Sequence, residues 1–213
     1  MPPSQIRLVF AEDDPLVCQA IHAYLRPAPD IEVVGEAADG VAALRLVEQE
    51  RPDVLLTDIN MPGHDGVELT RRVTALPNPP QVLCFTALAD EHLMREALYA
   101  GACGFLLKVD RPEMVLHGIR SAFNGEAVVS PRLITSLLTS IPRASPPPSD
   151  LKDLELDLIR LVGEGLNNVE IGGRLFLSPT TVKTYVSRLL TRTGSRNRAQ
   201  LAVKAHEWGL RGA

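Results

Sequence analysis

Short apolar segments alternate with longer amphipathic segments along the first 125 residues. The apolar segments are rich in β-branched and large aliphatic side chains, which is typical of strands buried on both faces. These predicted strands are Ile6–Phe10, Ile31–Val34, Val54–Leu56, Gln81–Phe85 and Gly104–Leu107. The amphipathic segments repeat their apolar residues every three or four positions, which predicts helices over 15–26, 40–50, 66–75, 90–100 and 111–123. Five successive βα units predict an α/β fold with one doubly wound, five-stranded parallel sheet and helices on both faces.

Residues with capping preferences mark several of these helix boundaries. Asp14 followed by Pro15 is typical of an N-cap and the first helical residue. Asp110 with Glu113 predicts a capping box that opens the fifth helix. Gly101 is expected to end the fourth helix.

The pattern changes after residue 125. The segment PRLITSLLTS, 131–140, predicts a short helix, and the four prolines of IPRASPPPSD that follow predict a semi-rigid spacer. Beyond the spacer the apolar spacing is helical throughout, and it predicts helices over about 152–162, 168–175, 179–191 and 197–208. We therefore predict a domain over 1–125, a linker over 126–149 and a small all-α domain over 150–213.

Composition places the chain among ordinary globular proteins. Hydrophobic residues make up 45% of its 213 residues and charged residues 23%. We expect no transmembrane helix, because no apolar run is long enough to span a bilayer, and no secretion signal at the N-terminus. The three cysteines, Cys18, Cys84 and Cys103, lie in apolar surroundings without metal-ligand spacing. They are expected to be free core thiols in a reducing cytosol, with a redox sensor as the alternative.

Charge is distributed unevenly between the two predicted domains. Residues 1–140 hold 11 Lys and Arg against 19 Asp and Glu, a net charge of −8. Residues 141–213 hold 11 against 7, a net charge of +4, and within them residues 166–213 hold 8 against 2, a net charge of +6. Such an asymmetry favours an acidic module joined to one that meets a polyanion. Charge alone does not separate that interpretation from chance surface charge.

Polar residues follow the predicted strands at the carboxyl edge of the sheet, where doubly wound folds place their sites. Strand one ends in Glu12 and Asp13, strand three in Asp58, strand four in Thr86 and strand five in Lys108. Three neighbouring carboxylates repel each other and need a cation, for which Mg²⁺ is the default ion. Lys108 adds a charge that can meet a phosphoryl oxygen, and Thr86 can donate a hydrogen bond to the same group. This set predicts phosphoryl transfer to a carboxylate nucleophile.

Simpler interpretations exist for two members of this edge. Asp58 could cap a helix, but the loop that follows it delays any helix by several residues. Phe105, in strand five, could be a plain core residue. Asp65, before Gly66, is expected to be a turn residue outside the site.

Four motifs in this region resemble the receiver domain of two-component response regulators: FAEDD, LLTDINMPGHDG, CFTA and GFLLK. The resemblance implies a flavodoxin-like fold in which Asp58 accepts a phosphoryl group from a phosphohistidine of a sensor histidine kinase. It also implies Mg²⁺ held by Asp13, Asp58 and the backbone carbonyl of Asn60, with Glu12 acting through water. Glu12 departs from the family pattern, because aspartate is commoner there.

The resemblance further implies a switch pair, Thr86 and Phe105. This pair relays phosphorylation to the face formed by helix four, strand five and helix five. Val109 follows Lys108 where the family often has a proline.

The predicted helix over 179–191 has a polar face without acidic residues. Ser178 and Pro179 are a strong helix start, and one arc holds Val182, Tyr185, Val186, Leu189 and Leu190. The opposite arc carries Thr180, Lys183, Thr184, Ser187, Arg188 and Thr191. Cations and short hydroxyls without acids suit a major groove, so this helix and the preceding one predict a helix-turn-helix.

The tail resembles the LuxR-type DNA-binding domain of the NarL/FixJ response regulators. The matching residues are Glu155, Gly165, Leu166, Asn168, Glu170, Ile171, Leu175, Ser178, Thr181, Val182, Lys183, Arg196 and Arg198. The DNA-binding residues implied are Thr180, Thr181, Lys183, Thr184, Ser187, Arg188 and Arg196. Lys183, Thr184 and Ser187 lie at the positions that read the groove in the family. Relatives more often have a basic residue at the position of Ser187, and Arg188 can supply the positive charge that is missing there.

The tail departs from the family at its start. The family's L-T-x-R-E appears as LKDLE, which predicts a looser first helix, and Tyr185 stands where histidine is usual. The last helix carries Leu201, Val203 and Trp208. It is expected to form the dimer contact of the DNA-bound state, with the core of the small domain as the alternative.

The sequence thus predicts a cytoplasmic, phosphorylation-dependent transcriptional regulator. Its partners are a sensor histidine kinase, double-stranded promoter DNA and, on activation, a second copy of itself, with no membrane partner. It is not expected to be an enzyme beyond Mg²⁺-dependent self-phosphorylation from a phosphodonor and autodephosphorylation. An aspartyl-phosphate hydrolase of the haloacid-dehalogenase kind is disfavoured, because Asn60 occupies the position of its acid/base aspartate. An unphosphorylated, degenerate binding module is disfavoured by the intact Asp58, Thr86 and Lys108.

Overall fold

The computed structural model describes residues 5–61, 65–87, 90–130, 133 and 145–210. Its N-terminal part is a parallel sheet with helices on both faces, as predicted. The strands are β1 Ile6–Ala11, β2 Ile31–Ala37, β3 Val54–Thr57, β4 Gln81–Thr86, β5 Gly104–Leu107 and β6 Val128–Val129. The helices between them are α1 Pro15–Leu25, α2 Gly40–Glu50, α3 Gly66–Val73, α4 Glu91–Ala100 and α5 Pro112–Phe123.

The sheet has six strands in the order β2-β1-β3-β4-β5-β6, so the prediction of five strands is wrong by one. The additional strand, β6, pairs with β5. It is possible because Gly104 lacks a side chain: a Cβ there would lie 2.2 Å from the carbonyl oxygen of Val128. A strand of two residues has no periodicity that a sequence pattern can reveal.

The chain changes direction across the sheet between β1 and β3. β1 pairs with β2 on one side and with β3 on the other, and Ala11 lies opposite Thr57. This is the topological switch point, where the carboxyl ends of neighbouring strands leave a crevice. The residues after Ala11 and Thr57 are therefore the ones that line it.

Buried apolar side chains cover both faces of the sheet. Phe10, Leu56 and Ile119 belong to the cluster under α1 and α5. On the opposite face, Val9, Leu55 and other residues pack under α2 and α3, and a further cluster packs around α4. Strand residues buried on both faces are the reason for the near-continuous apolar runs in the sequence.

Asp110 does not cap α5, contrary to the capping-box prediction. The N-cap of that helix is Arg111, which makes no side-chain capping bond. The Asp110 carboxylate instead accepts from the Leu107 N–H at 2.8 Å and from the Ser130 hydroxyl. It thereby fastens the end of β6 to the turn after β5. Asp14 does cap α1, accepting from Leu16 N at 2.8 Å.

The C-terminal part is helical. Its elements are α6 Asp153–Gly163, α7 Asn168–Leu175, α8 Pro179–Thr193 and α9 Arg198–Glu207. The predicted helix over 131–140 lies outside the described residues apart from Leu133, and so do residues 141–144 of the spacer. None of the helices in the described part of the chain has the length and apolar character needed to cross a bilayer.

Arg192 anchors the start of α6. Glu155 accepts from the Lys152 N–H at 2.9 Å and from Arg192 Nη1 at 2.7 Å. Arg192 Nη2 also donates to Asp150 Oδ2 at 2.8 Å. The first helix of this domain is thus tied to the C-terminal end of α8, although it lacks the family's threonine cap. These contacts do not support the prediction that the helix is loose.

Candidate functional site

Asp58 lies at the switch point because β3 ends one residue before it. The Asp58 N–H donates to Ala11 O at 2.9 Å, so its main chain continues the pairing of β3 with β1. The residue is 5% exposed, and Glu12, after β1, is 2% exposed. Two carboxylates at this depth need compensating charge or hydrogen bonds.

Lys108 supplies that compensating charge. Its Nζ lies 2.8 Å from Asp58 Oδ2 and 2.6 Å from Glu12 Oε2. The Lys108 side chain is only 14% exposed, and its backbone N–H donates to Thr86 O at 2.9 Å. β4 and β5 therefore position the ammonium group over the two acids.

The surroundings of the site shift the pKa of Glu12 and that of Lys108. Burial raises the pKa of Glu12, although the Lys108 hydrogen bond and charge oppose this. Burial alone would lower the pKa of Lys108, but its hydrogen bonds to Asp58 and Glu12 outweigh that effect and raise the pKa. The ammonium form is therefore the one that this environment favours.

The acidic cluster has the donor set of a hard cation. Glu12, Asp13 and Asp58 each offer a carboxylate oxygen, and these oxygens lie within 4.8 Å of one another. Glu12 and Asp58 are buried, whereas Asp13 is exposed, so a cation could reach the cluster from solvent on the Asp13 side. Carboxylates alone, without His or Cys, suit Mg²⁺ or a similar oxygen-preferring ion.

The loop after β3 includes the exposed residue Asn60, whose backbone N–H donates to Asp58 Oδ1 at 3.2 Å. Gly66 then returns to the strand end, and its N–H donates to Ile59 O at 2.8 Å. Asp65 is the N-cap of α3, accepting from Glu68 N at 2.8 Å, rather than the turn residue that was predicted. Residues 62–64 of the loop lie outside the described part.

Thr86 and Phe105 are both buried, at 1% and 0% exposure. Thr86 ends β4 opposite Leu107 of β5. Phe105 packs in the cluster that contains Met94 and Leu98 of α4. Phe105 is thus a core residue whose cluster includes side chains of α4. Its role as a switch remains a prediction.

The cysteines are free. Cys84 and Cys103 are fully buried, and burial raises the pKa of both thiols, that of Cys103 to about 12. Cys18 is half-buried, and its pKa is also raised by burial and by neighbouring acids. Protonated thiols react poorly, which argues against the redox-sensor alternative.

The polar face of α8 is exposed. Ser178 caps the helix by accepting from Thr181 N at 3.1 Å, and Val182, Val186 and Leu189 face the core of the small domain. The opposite face presents the predicted polar arc to solvent: Thr180, Lys183, Thr184, Ser187, Arg188 and Thr191. The structure therefore brings together all of the predicted DNA-facing residues except Thr181, which is half-buried beside Ser178, and Arg196.

Arg196 lies elsewhere. Its Nη1 donates to Ala100 O at 2.7 Å and to Thr74 Oγ1 at 3.0 Å, both in the sheet domain. Sequence reasoning placed Arg196 among the DNA contacts and missed this interdomain role. The sequence offers no signal for it, because the strongest acceptor is a backbone carbonyl.

Fold and site together define a receiver-type α/β domain joined to a helix-turn-helix domain. Residues 8–120 match the family described as response regulator receiver domain. Residues 151–205 match the family described as bacterial regulatory proteins, luxR family. The chain therefore belongs to the response regulators with a LuxR-type DNA-binding domain, and it is a transcription regulator.

Relatives are similar over nearly their whole length. The chain is 33% identical over 204 residues to the transcriptional regulatory protein LiaR of Bacillus subtilis, covering 94% of this chain and 97% of LiaR. It is 32% identical over 204 residues to the nitrate/nitrite response regulator protein NarL of Escherichia coli, covering 94% of each chain. Both domains and their order are thus shared.

Solved structures agree with this assignment. The response regulator ChrA of a heme-sensing two-component system is 31% identical, with a TM-score of 0.54 over 97% of this chain and 99% of ChrA. RcsB, solved as two dimers bound to two parallel DNAs, is 21% identical with a TM-score of 0.59 over 97% of each chain. At that identity, RcsB supports the fold alone.

Proposed function

We propose that this chain is a phosphorylation-dependent DNA-binding transcriptional regulator of the cytoplasm. Asp58 is the phosphoacceptor, and the donor is a phosphohistidine on a sensor histidine kinase. Phosphorylated chains pair and bind promoter DNA through α8. The observation that carries the proposal is the contact of the Lys108 ammonium, 2.8 Å from Asp58 Oδ2, in a buried cluster of oxygen ligands.

The chemistry follows from the charges at the site. An Asp58 oxygen attacks phosphorus, a P–O bond forms, and the P–N bond to the kinase imidazole breaks. The imidazole leaves with the electron pair of that bond and takes a proton from water. Lys108 would hold a phosphoryl oxygen as the charge moves onto Asp58, and Thr86 would donate a hydrogen bond to the same group.

The acidic cluster fits Mg²⁺. Asp13, Asp58 and the Asn60 carbonyl would hold the ion, with Glu12 acting through water. The ion supplies positive charge that offsets the repulsion between the carboxylates and the incoming phosphoryl group. The chain's own contribution is to fix those oxygens at the switch point.

The DNA-binding part of the proposal rests on the exposed polar face of α8. Lys183 and Arg188 lie beside short hydroxyl side chains, and no acid lies on that face. Such a face can neutralise phosphates and donate hydrogen bonds to base edges. The net charge of +6 over 166–213 gives this segment of the domain a general attraction to DNA.

Labelling with acetyl phosphate and Mg²⁺ tests the acceptor. Asp58→Asn should abolish the added phosphoryl mass, because an amide cannot form the acyl phosphate. Asp39→Asn is the matched control, since Asp39 caps α2 and asparagine caps a helix equally well. Undiminished labelling of Asp58→Asn by mass spectrometry would remove Asp58 as the acceptor.

A further inference from the structure

Lys108 lies in a tight turn that is closed by one residue, Asp110. The Asp110 N–H donates to Leu107 O at 2.9 Å, and Asp110 Oδ2 accepts from the Leu107 N–H at 2.8 Å. Lys108 and Val109 are the two residues between these bonds. The main chain that carries the ammonium group is therefore held by both the backbone and the side chain of the same aspartate.

Neither of the two central residues restricts the backbone of the turn as a proline would. Val109 is exposed, and Lys108 carries its charge on a flexible four-carbon stem. The position of the ammonium group therefore depends on how firmly the main chain of the turn is held. A side-chain oxygen that accepts a nearby backbone N–H is the usual way in which aspartate stabilises such a turn.

Ser130 extends these contacts to the chain beyond β6. Its N–H donates to Phe105 O at 2.8 Å, which continues the pairing of β6 with β5. Its hydroxyl donates to Asp110 Oδ2, the oxygen that also accepts from Leu107, and its Oγ accepts from the Leu107 N–H at 3.2 Å. Ser130 is fully buried, so a bond lost here is not replaced by water without cost. Leu107, Asp110 and Ser130 thus form one closed set of hydrogen bonds, which we name the Asp110–Ser130 latch.

The chain stays attached to the receiver just beyond Ser130. The Leu133 N–H donates to Ser130 O at 2.8 Å, and the Leu133 side chain is fully buried. It lies in the same cluster as Phe105 and Leu107 of β5. The first part of the predicted linker, which leads to the DNA-binding domain, is therefore fixed on the strand that ends beside Lys108.

We propose that Asp110 is the positioning residue for Lys108 and that Ser130 couples this position to the linker. The latch holds the turn so that the ammonium group lies against Asp58 and Glu12. When a phosphoryl group forms on Asp58, Lys108 moves from the carboxylate to a phosphoryl oxygen, and the turn transmits this displacement to Ser130. The transmission step rests on the proposed function, because it assumes that Asp58 is the phosphoacceptor, whereas the positioning of Lys108 does not.

This route differs from the proposed switch pair. Thr86 and Phe105 are expected to relay phosphorylation to the face formed by helix four, strand five and helix five. The latch instead connects Lys108 along the main chain to β6, whose only strand partner among the described residues is β5. It gives this short strand a role, because β6 brings Ser130 to the turn.

A set of full-length variants separates hydrogen bonding from charge and from stability. Asp110→Ala removes the side-chain contacts, whereas Asp110→Asn keeps an oxygen that can accept both bonds, because both end on Oδ2. Asp39→Ala is the matched control for stability, since Asp39 also accepts a backbone N–H at 2.8 Å but caps α2. Ser130→Ala removes the hydroxyl alone, and Ser121→Ala, at another buried serine, is its control.

Lysine reactivity reports the position of Lys108 without any phosphoryl group. The Lys108 side chain is 14% exposed, whereas Lys152 is exposed and serves as the internal reference. Each chain is treated briefly with acetic anhydride, and peptide mass spectrometry compares acetylation at the two lysines. Asp110→Ala should raise the relative rate at Lys108 about fivefold or more, because labelling of a protected group follows the fraction of open molecules. Ser130→Ala should raise it by a smaller factor, whereas Asp110→Asn and both controls should match the parent.

Acetyl phosphate with Mg²⁺ then tests the connection to the proposed function. The initial rate of labelling at Asp58 should fall about tenfold in Asp110→Ala, because a misplaced charge stabilises the transfer less well. Asp110→Asn and Asp39→Ala should keep the rate of the parent. A parent chain that takes up no phosphoryl group would refute the proposed function, while the lysine reactivities would still decide whether Asp110 positions Lys108.

Three results would overturn the inference. Parental reactivity of Lys108 in Asp110→Ala would show that the aspartate does not hold the turn. An equal rise in Asp39→Ala would assign the change to lost stability. Equal reactivity in Ser130→Ala and Ser121→Ala would show that the linker is not coupled to Lys108. Circular dichroism melting establishes that each chain is folded, and if Asp110→Ala is not, the comparison of Ser130→Ala with its control decides.

Discussion

At the scale of single residues, Lys108 determines whether the acidic site is stable. Its ammonium is the only cation that contacts Glu12 and Asp58 among the ion pairs of the described residues. Sequence alone located it, because lysine is rare in this chain and this one follows a buried strand. What sequence could not supply was the double contact, since it depends on where β5 places the side chain relative to β1 and β3.

Replacing Lys108 by methionine should therefore destabilise the receiver when no divalent ion is present. Removing one partner of a buried ion pair costs about 3–5 kcal/mol, because the remaining charges are left uncompensated. Added Mg²⁺ should restore more stability to Lys108→Met than to the parent, since the ion takes over the neutralising role. Urea denaturation with and without Mg²⁺ measures both effects, and Lys152→Met at an exposed position is the control. Equal Mg²⁺ effects in parent and variant would contradict this account.

Asp30 and Arg120 offer a test through pH. Arg120 donates to both Asp30 oxygens, at 2.7 and 2.8 Å, and this hydrogen bonding lowers the pKa of Asp30. A carboxyl with a depressed folded pKa stabilises the fold above its unfolded pKa, and this contribution is lost as pH falls through the folded value. Both side chains are well exposed, so the expected loss in Arg120→Gln is at most about 1 kcal/mol at pH 7. The difference from the parent should vanish in acid; a difference that persists below the folded pKa of Asp30 would assign the effect to packing instead.

At the scale of elements, the sequence predicted those whose pattern is long enough to repeat. The first five strands and the helices of both domains extend over several residues of regular spacing, and they were predicted within a few positions. β6 was missed because two residues carry no period. Asp110 was misassigned because its spacing to Glu113 resembles a capping box, whereas its actual partners lie in β5 and beyond β6.

Gly104 provides a test of β6. A Cβ at this position would lie 2.2 Å from Val128 O and 3.0 Å from Leu83 Cδ1, so Gly104→Ala must displace β6 or shift β5. Overpacking of this kind costs about 1–3 kcal/mol. Gly173→Ala is the matched control, because Gly173 lies in α7 and a methyl group added there would meet nothing within 4 Å, so alanine should stabilise by up to about 1 kcal/mol. Urea denaturation that gives Gly104→Ala the stability of the parent would show that β6 contributes nothing.

At the scale of the whole molecule, an acidic domain and a domain with a basic helix are in contact. The acidic receiver and the basic tail are held together by side chains that reach backbone carbonyls, which no residue pattern reveals. The sequence therefore predicted two domains and their separate chemistry but not the contact between them. In the docked chain the basic face of α8 remains exposed, and residues 1–140 of the same chain carry a net charge of −8. Two opposing electrostatic contributions therefore act on the approach to DNA: attraction by the exposed cations of α8 and repulsion by the net negative charge of the receiver.

Lys183 should report the contribution of the exposed face of α8 to DNA binding. The electrostatic part of duplex binding does not depend on sequence, so a mixed-sequence duplex is a sufficient probe, and each neutralised phosphate contributes about −0.9 to the slope of log affinity against log salt. Lys183→Ala should reduce the magnitude of the slope by about that amount, because its side chain lies on the exposed face of α8. Lys204→Ala removes the same charge from α9, where the ammonium lies 5.7 Å from the ring centre of Trp208, and should leave the slope unchanged. Fluorescence anisotropy titrations over a range of salt concentrations measure the slope for each chain. Identical reductions for the two variants would mean that overall charge, and not the face of α8, governs binding.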